Sequence, residues 1–263
     1  MDLQLAGKRA FISGSTQGIG YAIARALLAE GVAVTINGRT DSKVLTAVQQ
    51  LQNEWPGATV SGLSANLADP DQVQKMLRRL GTVDILVNNV GVFELAPFQD
   101  ISDDDWQRSF DLNVMSGVRL SRQVLPAMLA QRWGRIIFVS SESGVNVPAD
   151  MVHYGTTKAA QIALSNGLAK LTRGTDVTVN TILGGPTYSD GVAATVEQIA
   201  DAQAIPADRL KAAISAGNST SLVQRFLEPN EIADLAVYLA SPRSSATNGA
   251  ALRADGGALT GTL

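Results

Sequence analysis

Tyr154 and Lys158 stand four residues apart in the stretch Tyr154-Gly155-Thr156-Thr157-Lys158. On a helix that spacing puts both side chains on one face. A free phenol, with a pKa near ~10, is a poor base at neutral pH. A nearby ammonium favours the phenolate, and a phenol tuned toward the working pH is a better general acid or base. The pair reads as a proton-transfer device, in which Tyr154 protonates a nascent alkoxide or accepts the proton of an alcohol. Tyr-x-x-x-Lys is also an ordinary surface pattern, so its weight comes from what surrounds it. Ser140-Ser141 close the apolar run Ile136-Ile137-Phe138-Val139, and a serine at such a strand end can hydrogen-bond a substrate oxygen as charge develops on it. A serine hydrolase would need a histidine base. The one histidine, His153, is adjacent to Tyr154 and points off its face, so it reads as structural.

A second group gathers near the start of the chain. The first apolar run leads into Ser13-Gly14-Ser15-Thr16-Gln17-Gly18-Ile19-Gly20, with glycines spaced G-x-x-x-G-x-G. Such a turn lets the backbone approach a pyrophosphate closely, and the helix after it offers its N-terminal amides and positive dipole end. The second run ends in Asn37-Gly38-Arg39-Thr40. Dinucleotide sites for NAD place a carboxylate there on the ribose hydroxyls. Arg39 instead suits a 2′-phosphate, so NADP(H) is the expected cofactor and NAD(H) the less favoured one, with Asp41 close by as the opposing feature.

The elements that must position these groups alternate in period. Strand-like runs occur at Ala10–Ile12, Val32–Ile36, Thr59–Leu63, Asp84–Val87, Ile136–Val139 and Val177–Ile182. Several are apolar throughout, as in parallel strands covered on both faces. Between them come helical patterns: Ile19, Ile23, Ala26 and Leu27 before Gly31; Val73, Met76 and Leu77 after Pro70; a long segment from Asp103 to Gln131; one from about Val152 to Arg173; and a late one from Pro229. The alternation predicts an α/β fold with a doubly wound parallel sheet, Rossmann-like, in a single domain over 1–263. The alanine-rich segment 187–224 interrupts it and is expected to form a helical substrate lid over the carboxyl edge of the sheet.

Composition narrows the classes. The chain has 263 residues, a net charge of −3, no cysteine and one histidine. There is no basic field for nucleic acid or an anionic membrane, no thiolate chemistry, and no ligand set for zinc, so no metal site is expected. No apolar run approaches the ~20 residues of a membrane helix, and the first residues lack the pattern of a secretory signal. The expected location is cytoplasmic.

Taken together and in order, these residues resemble the short-chain dehydrogenase/reductase family over nearly the whole chain. Gly14, Gly18 and Gly20 match its phosphate-binding turn, Asn88-Asn89-Val90-Gly91 its Asn-Asn-Ala-Gly motif, Asn113 the asparagine of its central helix, and Tyr154 with Lys158 its catalytic pair. Ser141 lies thirteen positions before Tyr154, the family's usual separation, and is chosen over Ser140 on that ground. The resemblance implies a catalytic tetrad of Asn113, Ser141, Tyr154 and Lys158. Ser141 would orient substrate, Tyr154 transfer the proton, Lys158 lower the phenol pKa and hold the nicotinamide ribose, and Asn113 hold a water linking Lys158 to solvent. It implies cofactor contacts at Gly14, Ser15, Gln17, Gly18, Ile19, Gly20, Arg39, Asn66, Leu67, Asn89, Gly91, Tyr154, Lys158 and Thr187. Four sites depart from the pattern: Val90 replaces an alanine, Asn66 replaces an aspartate, Gly184-Gly185-Pro186 replaces Pro-Gly, and Gln17 is not basic. The implied activity is NADP(H)-dependent reduction of a ketone by a homotetramer acting on a small molecule. The alternatives are an NAD-dependent alcohol, polyol or hydroxysteroid dehydrogenase and a non-catalytic NADP-binding sensor. Glu142, Ser143, Val147 and Tyr188 are expected around the pocket, although a glutamate is most often solvated and Glu142 is expected to face water.

Overall fold

Phe11 and Ile12 are neighbours in the first apolar run, and both are fully buried. Successive strand residues point to opposite faces, so this strand must be covered on both sides. In the computed structural model, which describes residues 1–217 and 220–262, it is. Strands β1 (Arg9–Ile12), β2 (Ala33–Gly38), β3 (Val60–Ser64), β4 (Ile85–Asn88), β5 (Trp133–Ser141), β6 (Asp176–Gly184) and β7 (Ala251–Ala254) form one sheet in the order β3-β2-β1-β4-β5-β6-β7. Every neighbouring pair is parallel.

Helices fill both faces: α1 (Gly18–Ala29), α2 (Asp41–Glu54), α3 (Pro70–Leu77), α4 (Asp103–Phe110), α5 (Ser116–Ala130), α6 (Val152–Lys170), α7 (Asp190–Ala202), α8 (Ala207–Gly217) and α9 (Pro229–Ala240). One core packs Ile12, Ile23, Leu27, Ile36, Ile232 and Leu239 together. The other packs Phe11, Leu86, Leu120, Met128, Phe138 and Val179. Burying each such side chain contributes about 1.5–3 kcal/mol, and this anchors the strands whose ends carry the site. Chain order reverses between β1 and β4, and open α/β sheets bind ligands in the crevice at such a switch point.

The doubly wound sheet expected from the sequence is present, with two elements that the periodicity did not reveal. Helix α2 buries only Val44, Ala47 and Leu51, too thin a stripe to stand out. Strand β7 reads Ala-Leu-Arg-Ala, a poor strand sequence, and exists because it pairs with β6 from Thr181 to Gly184. Leu252 on β7 packs partly into the first core. The long segment from Asp103 is also not one regular helix. A π turn over Asp111–Met115 separates α4 from α5, and it falls on Asn113. The segment 187–224 does form helices, α7 and α8, with Asn218 and Ser219 outside the described residues. No described helix is long and apolar enough to cross a membrane.

Candidate active site

The glycine turn is built largely by its own neighbours. Gly14 and Gly18 have φ of +60° and +61°, the left-handed region where glycine carries no steric penalty. A Cβ at Gly20 would lie 2.5 Å from Asn89 Nδ2 and 2.5 Å from the Gly14 carbonyl, and one at Gly14 would meet Val90 at 3.0 Å. These two glycines make room for the chain itself as well as for any ligand. Asn89 Nδ2 donates to the carbonyls of Ser13 and Gly14 at 3.0 and 2.9 Å. Gly14 N–H donates to Asn37 Oδ1 at 3.2 Å. Ser15 is turned inward: it is fully buried, its N–H donates to the Asn37 carbonyl, and its hydroxyl donates to the Ile12 carbonyl. Its place here is that of a brace rather than an exposed contact. Asn37, which sequence reasoning quoted without a role, is the hub of this half. One signal pointed to it, an amide side chain at a strand end.

Helix α1 leaves its start open to an anion. Its N-cap, Gln17, makes no side-chain cap, and its first turn has no acid. One carboxylate does reach it from the start of α7, since Gly18 N–H donates to Asp190 Oδ2 at 2.6 Å. Arg39 is exposed just past β2, and no ion pair among the described residues includes it. Asp41 accepts from the Ser64 hydroxyl on the adjacent strand, so the one acid near Arg39 is engaged elsewhere. Asn66 uses its Oδ1 on the N–H of Ala68 and its N–H on Gln72. Leu67 buries its side chain in the second core.

On the other side of the switch point, Ser141 ends β5 while Tyr154 and Lys158 lie in α6. The four-residue spacing brings the pair together as expected, with Lys158 Nζ 5.6 Å from the centroid of the Tyr154 ring. The ammonium donates to the Val139 carbonyl at 2.9 Å. Burial pulls Lys158 down to about 8. Tyr154 behaves differently from the expectation of a lowered phenol. Burial pushes it up to about 12, the nearby Ser141 hydroxyl pulls it back, and the Glu142 charge raises it. Burial is the largest influence on the phenol. Phe93 packs edge-on against its ring at 6.2 Å.

Asn113 sits behind this pair. Its Nδ2 donates to the Val92 carbonyl and to Thr157 Oγ1, its Oδ1 accepts from Val92 N–H, and its main-chain carbonyl accepts from Gln161. The π turn disturbs the regular ladder of helix bonds, and the Gln161 side chain supplies this carbonyl with a donor. Gly91 keeps a gap there, since a Cβ would lie 3.4 Å from Asn113 Oδ1 and 3.5 Å from Lys158 Nζ. His153 is buried edge-on against Trp106, 6.0 Å away, as its structural reading requires. Thr187 is buried between β6 and α7, its hydroxyl donating to the Gly185 carbonyl at 2.9 Å.

Glu142 does not face water as expected. It follows Ser141 in a 3₁₀ turn that folds the carboxylate back. Its Oε2 accepts from Ser141 Oγ at 2.9 Å and from Ser143 Oγ at 2.5 Å. Burial and the charge of Asp255 hold it above the usual carboxylate range.

A family model described as short chain dehydrogenase matches residues 8–200. The chain is 43% identical to an uncharacterized oxidoreductase of Bacillus subtilis, YvaG, over 98% of both chains. It is 32% identical to the D-beta-hydroxybutyrate dehydrogenase of Cupriavidus necator, over 96% of this chain and 98% of that one. The solved L-sorbose reductase of Gluconobacter frateurii, complexed with NADPH and L-sorbose, superposes with a TM-score of 0.94 at 29% identity, covering 99% of this chain and 100% of that one.

Proposed function

The chain belongs to the short-chain dehydrogenases, and from that premise we propose that it is an NADP(H)-dependent ketone reductase. The observation that carries this reading is the convergence of Ser141 and Tyr154 at the carboxyl end of β5, with Lys158 buried behind them. The residues present fit a dinucleotide. The start of α1 lacks a side-chain cap of its own. Lys158 has two ammonium hydrogens beyond the one donated to Val139, enough for the two hydroxyls of a ribose. Arg39 would take the 2′-phosphate, as in the proposed choice of NADP(H), and the NADPH complex of the sorbose reductase supports that choice. Asn66 and Gly91 would contact the cofactor as the family resemblance implies, and Leu67 could do so only through its main chain, because its side chain is in the core. When bound, the cofactor supplies or takes up the hydride.

The chain's own groups handle the proton. Ser141 orients the substrate oxygen and stabilises charge on it. Tyr154 gives its proton to the nascent alkoxide. A phenol held near 12 is fully protonated at neutral pH, which suits donation and hence reduction. Asn113 is a positioning residue, fixing α6 against the loop after β4. Helices α7 and α8 form the lid that closes the substrate side, and a homotetramer is the assembly in keeping with the family.

Replacing Tyr154 by phenylalanine keeps the ring contact and removes the proton. NADPH consumption with a panel of activated ketones is expected to fall roughly a thousandfold, within the range for general acid–base groups, while NADPH binding persists. Undiminished turnover in that variant would sink the mechanism. Tight NADPH binding with no turnover by the wild type across the panel would favour a cofactor-binding sensor instead.

A further inference from the structure

Glu142 carries chemistry that the proton-transfer reading does not use. Its Oε2 is held by two serine hydroxyls, one of them Ser141. Its Oε1 accepts no hydrogen bond among the described residues and is not sealed from solvent. No salt bridge among the described residues reaches it, and the charge that acts on it in the same sense as burial is another acid, Asp255. A half-buried carboxylate with no cation is unfavourable unless something donates to it. It also competes with catalysis. A serine hydroxyl has one proton, and while Ser141 donates to Glu142 that proton is not available to the substrate oxygen.

Resting on the reductase reading, we propose that Glu142 is a specificity residue that selects ketones bearing a hydroxyl on the carbon next to the carbonyl. That hydroxyl donates to Glu142, which releases Ser141 Oγ–H to the carbonyl oxygen beside Tyr154. Recognition of the neighbouring hydroxyl and activation of the carbonyl are thereby one event. A neutral donor suits the site better than a cation, because Lys158 already brings a buried positive charge close to Tyr154. A carboxylate on the neighbouring carbon would meet Glu142 as a like charge, so oxo acids are rejected. The substrate class is the α-hydroxy ketones, simple ketoses included.

Four small ketones differ only at that carbon: hydroxyacetone, butanone, aminoacetone and pyruvate. With NADPH, the wild type is expected to favour hydroxyacetone over butanone by roughly tenfold to a hundredfold in kcat/KM, the range for a hydrogen bond to a charged group. Pyruvate is expected to be the poorest of the four. Glu142→Ala should abolish the preference while keeping or raising butanone turnover, because Ser141 is released. Glu142→Gln, which still accepts but carries no charge, should keep part of the preference and relieve the rejection of pyruvate. NADPH affinity, read by its fluorescence, should be unchanged in both variants and so report an intact fold. An equal preference in Glu142→Ala, no preference in the wild type, or faster turnover of aminoacetone than of hydroxyacetone would each overturn the proposal. Butanone reduction that depends on Tyr154 without any hydroxyl preference would overturn it alone and leave the reductase reading standing. No turnover of any of the four overturns it as well, and the wider ketone panel then decides the function.

Discussion

The two halves of the carboxyl edge are held by different kinds of bond. On the cofactor side, short polar side chains clamp backbone groups: Asn37, Ser13, Ser15 and Asn89 all bond the main chain of β1, β4 or the glycine turn. Asn37, Ser13 and Ser15 are almost wholly buried. On the other side, the segment that carries α7 and α8 is held by a bridge between Thr187 and Leu227, Tyr188 tilted against Phe226 at 5.5 Å, Lys211 over the Tyr188 ring, Asp190 on Gly18, main-chain bonds from Leu222 and Val223 to Gly256, and the buried Val196 and Ala200 of α7. Helix α8 has no buried residue among those described. The first half is prebuilt, because buried polar groups permit only one arrangement in which all are satisfied. The second combines two buried apolar residues of α7 with contacts nearer the surface, and regions with fewer buried contacts open at lower cost, so the proposed lid would yield first around α8.

A glycine-to-alanine exchange in each half breaks this comparison most sharply. At Gly20 the added Cβ would sit 2.5 Å from both Asn89 Nδ2 and the Gly14 carbonyl, and neither can retreat without giving up the clamp. Gly20→Ala is expected to lower the melting temperature and to weaken NADPH binding by about a hundredfold or more, with overpacking alone costing about 1–3 kcal/mol. At Gly191, in α7, nothing lies within 4 Å of the added methyl. Gly191→Ala should leave NADPH binding unchanged and leave the melting temperature equal or slightly higher, since alanine favours a helix by up to about 1 kcal/mol. Thermal melts and NADPH titrations of both variants check this, and equal damage in the two would erase the distinction.

Legibility in the sequence followed the same division. The glycine turn, β1 and the first crossover are local, so spacing and hydrophobic runs revealed them. Tyr154 and Lys158 were legible because four residues on one helix fix a shared face. What spacing could not show was long-range closure. Gly18 and Asp190 are 172 positions apart, and no pattern in either segment names the other. Asn37 was visible only as a strand end. Glu142 was misread because its neighbours in sequence are polar and because glutamates are mostly solvated. Its burial is produced by the turn after β5 and by α6 beside it. The phenol was misread as well, since the sequence shows which charge is near Tyr154 but not how much water is excluded.

Arg39 tests the cofactor half at its exposed rim, where a smaller effect is expected. Because it is solvated, its pairing with a 2′-phosphate is screened. Arg39→Ala should reduce kcat/KM for NADPH about tenfold and leave the value for NADH as it was. Equal loss with both cofactors, or no loss with either, would remove Arg39 from the 2′-phosphate and with it the main support in the sequence for NADP(H).

The smallest expected effect lies where the two halves touch. Asp190 presents a carboxylate to the Gly18 N–H, at the helix end best suited to an anion, so a dinucleotide phosphate bound there would compete with this carboxylate for one donor and be repelled by it. Asp190→Asn removes the repulsion but leaves an oxygen that can accept from Gly18. A charge at a helix terminus is typically worth 0.3–1 kcal/mol, so NADPH is expected to bind about two- to fivefold tighter to this variant, with the difference shrinking at high salt. Asp190→Ala should tighten binding at least as much, since it removes the competing acceptor too. Weaker NADPH binding in both variants would mean that the contact holds the lid onto the cofactor rather than against it, and the two halves would then be one rigid unit instead of a fixed cradle and a separate cover.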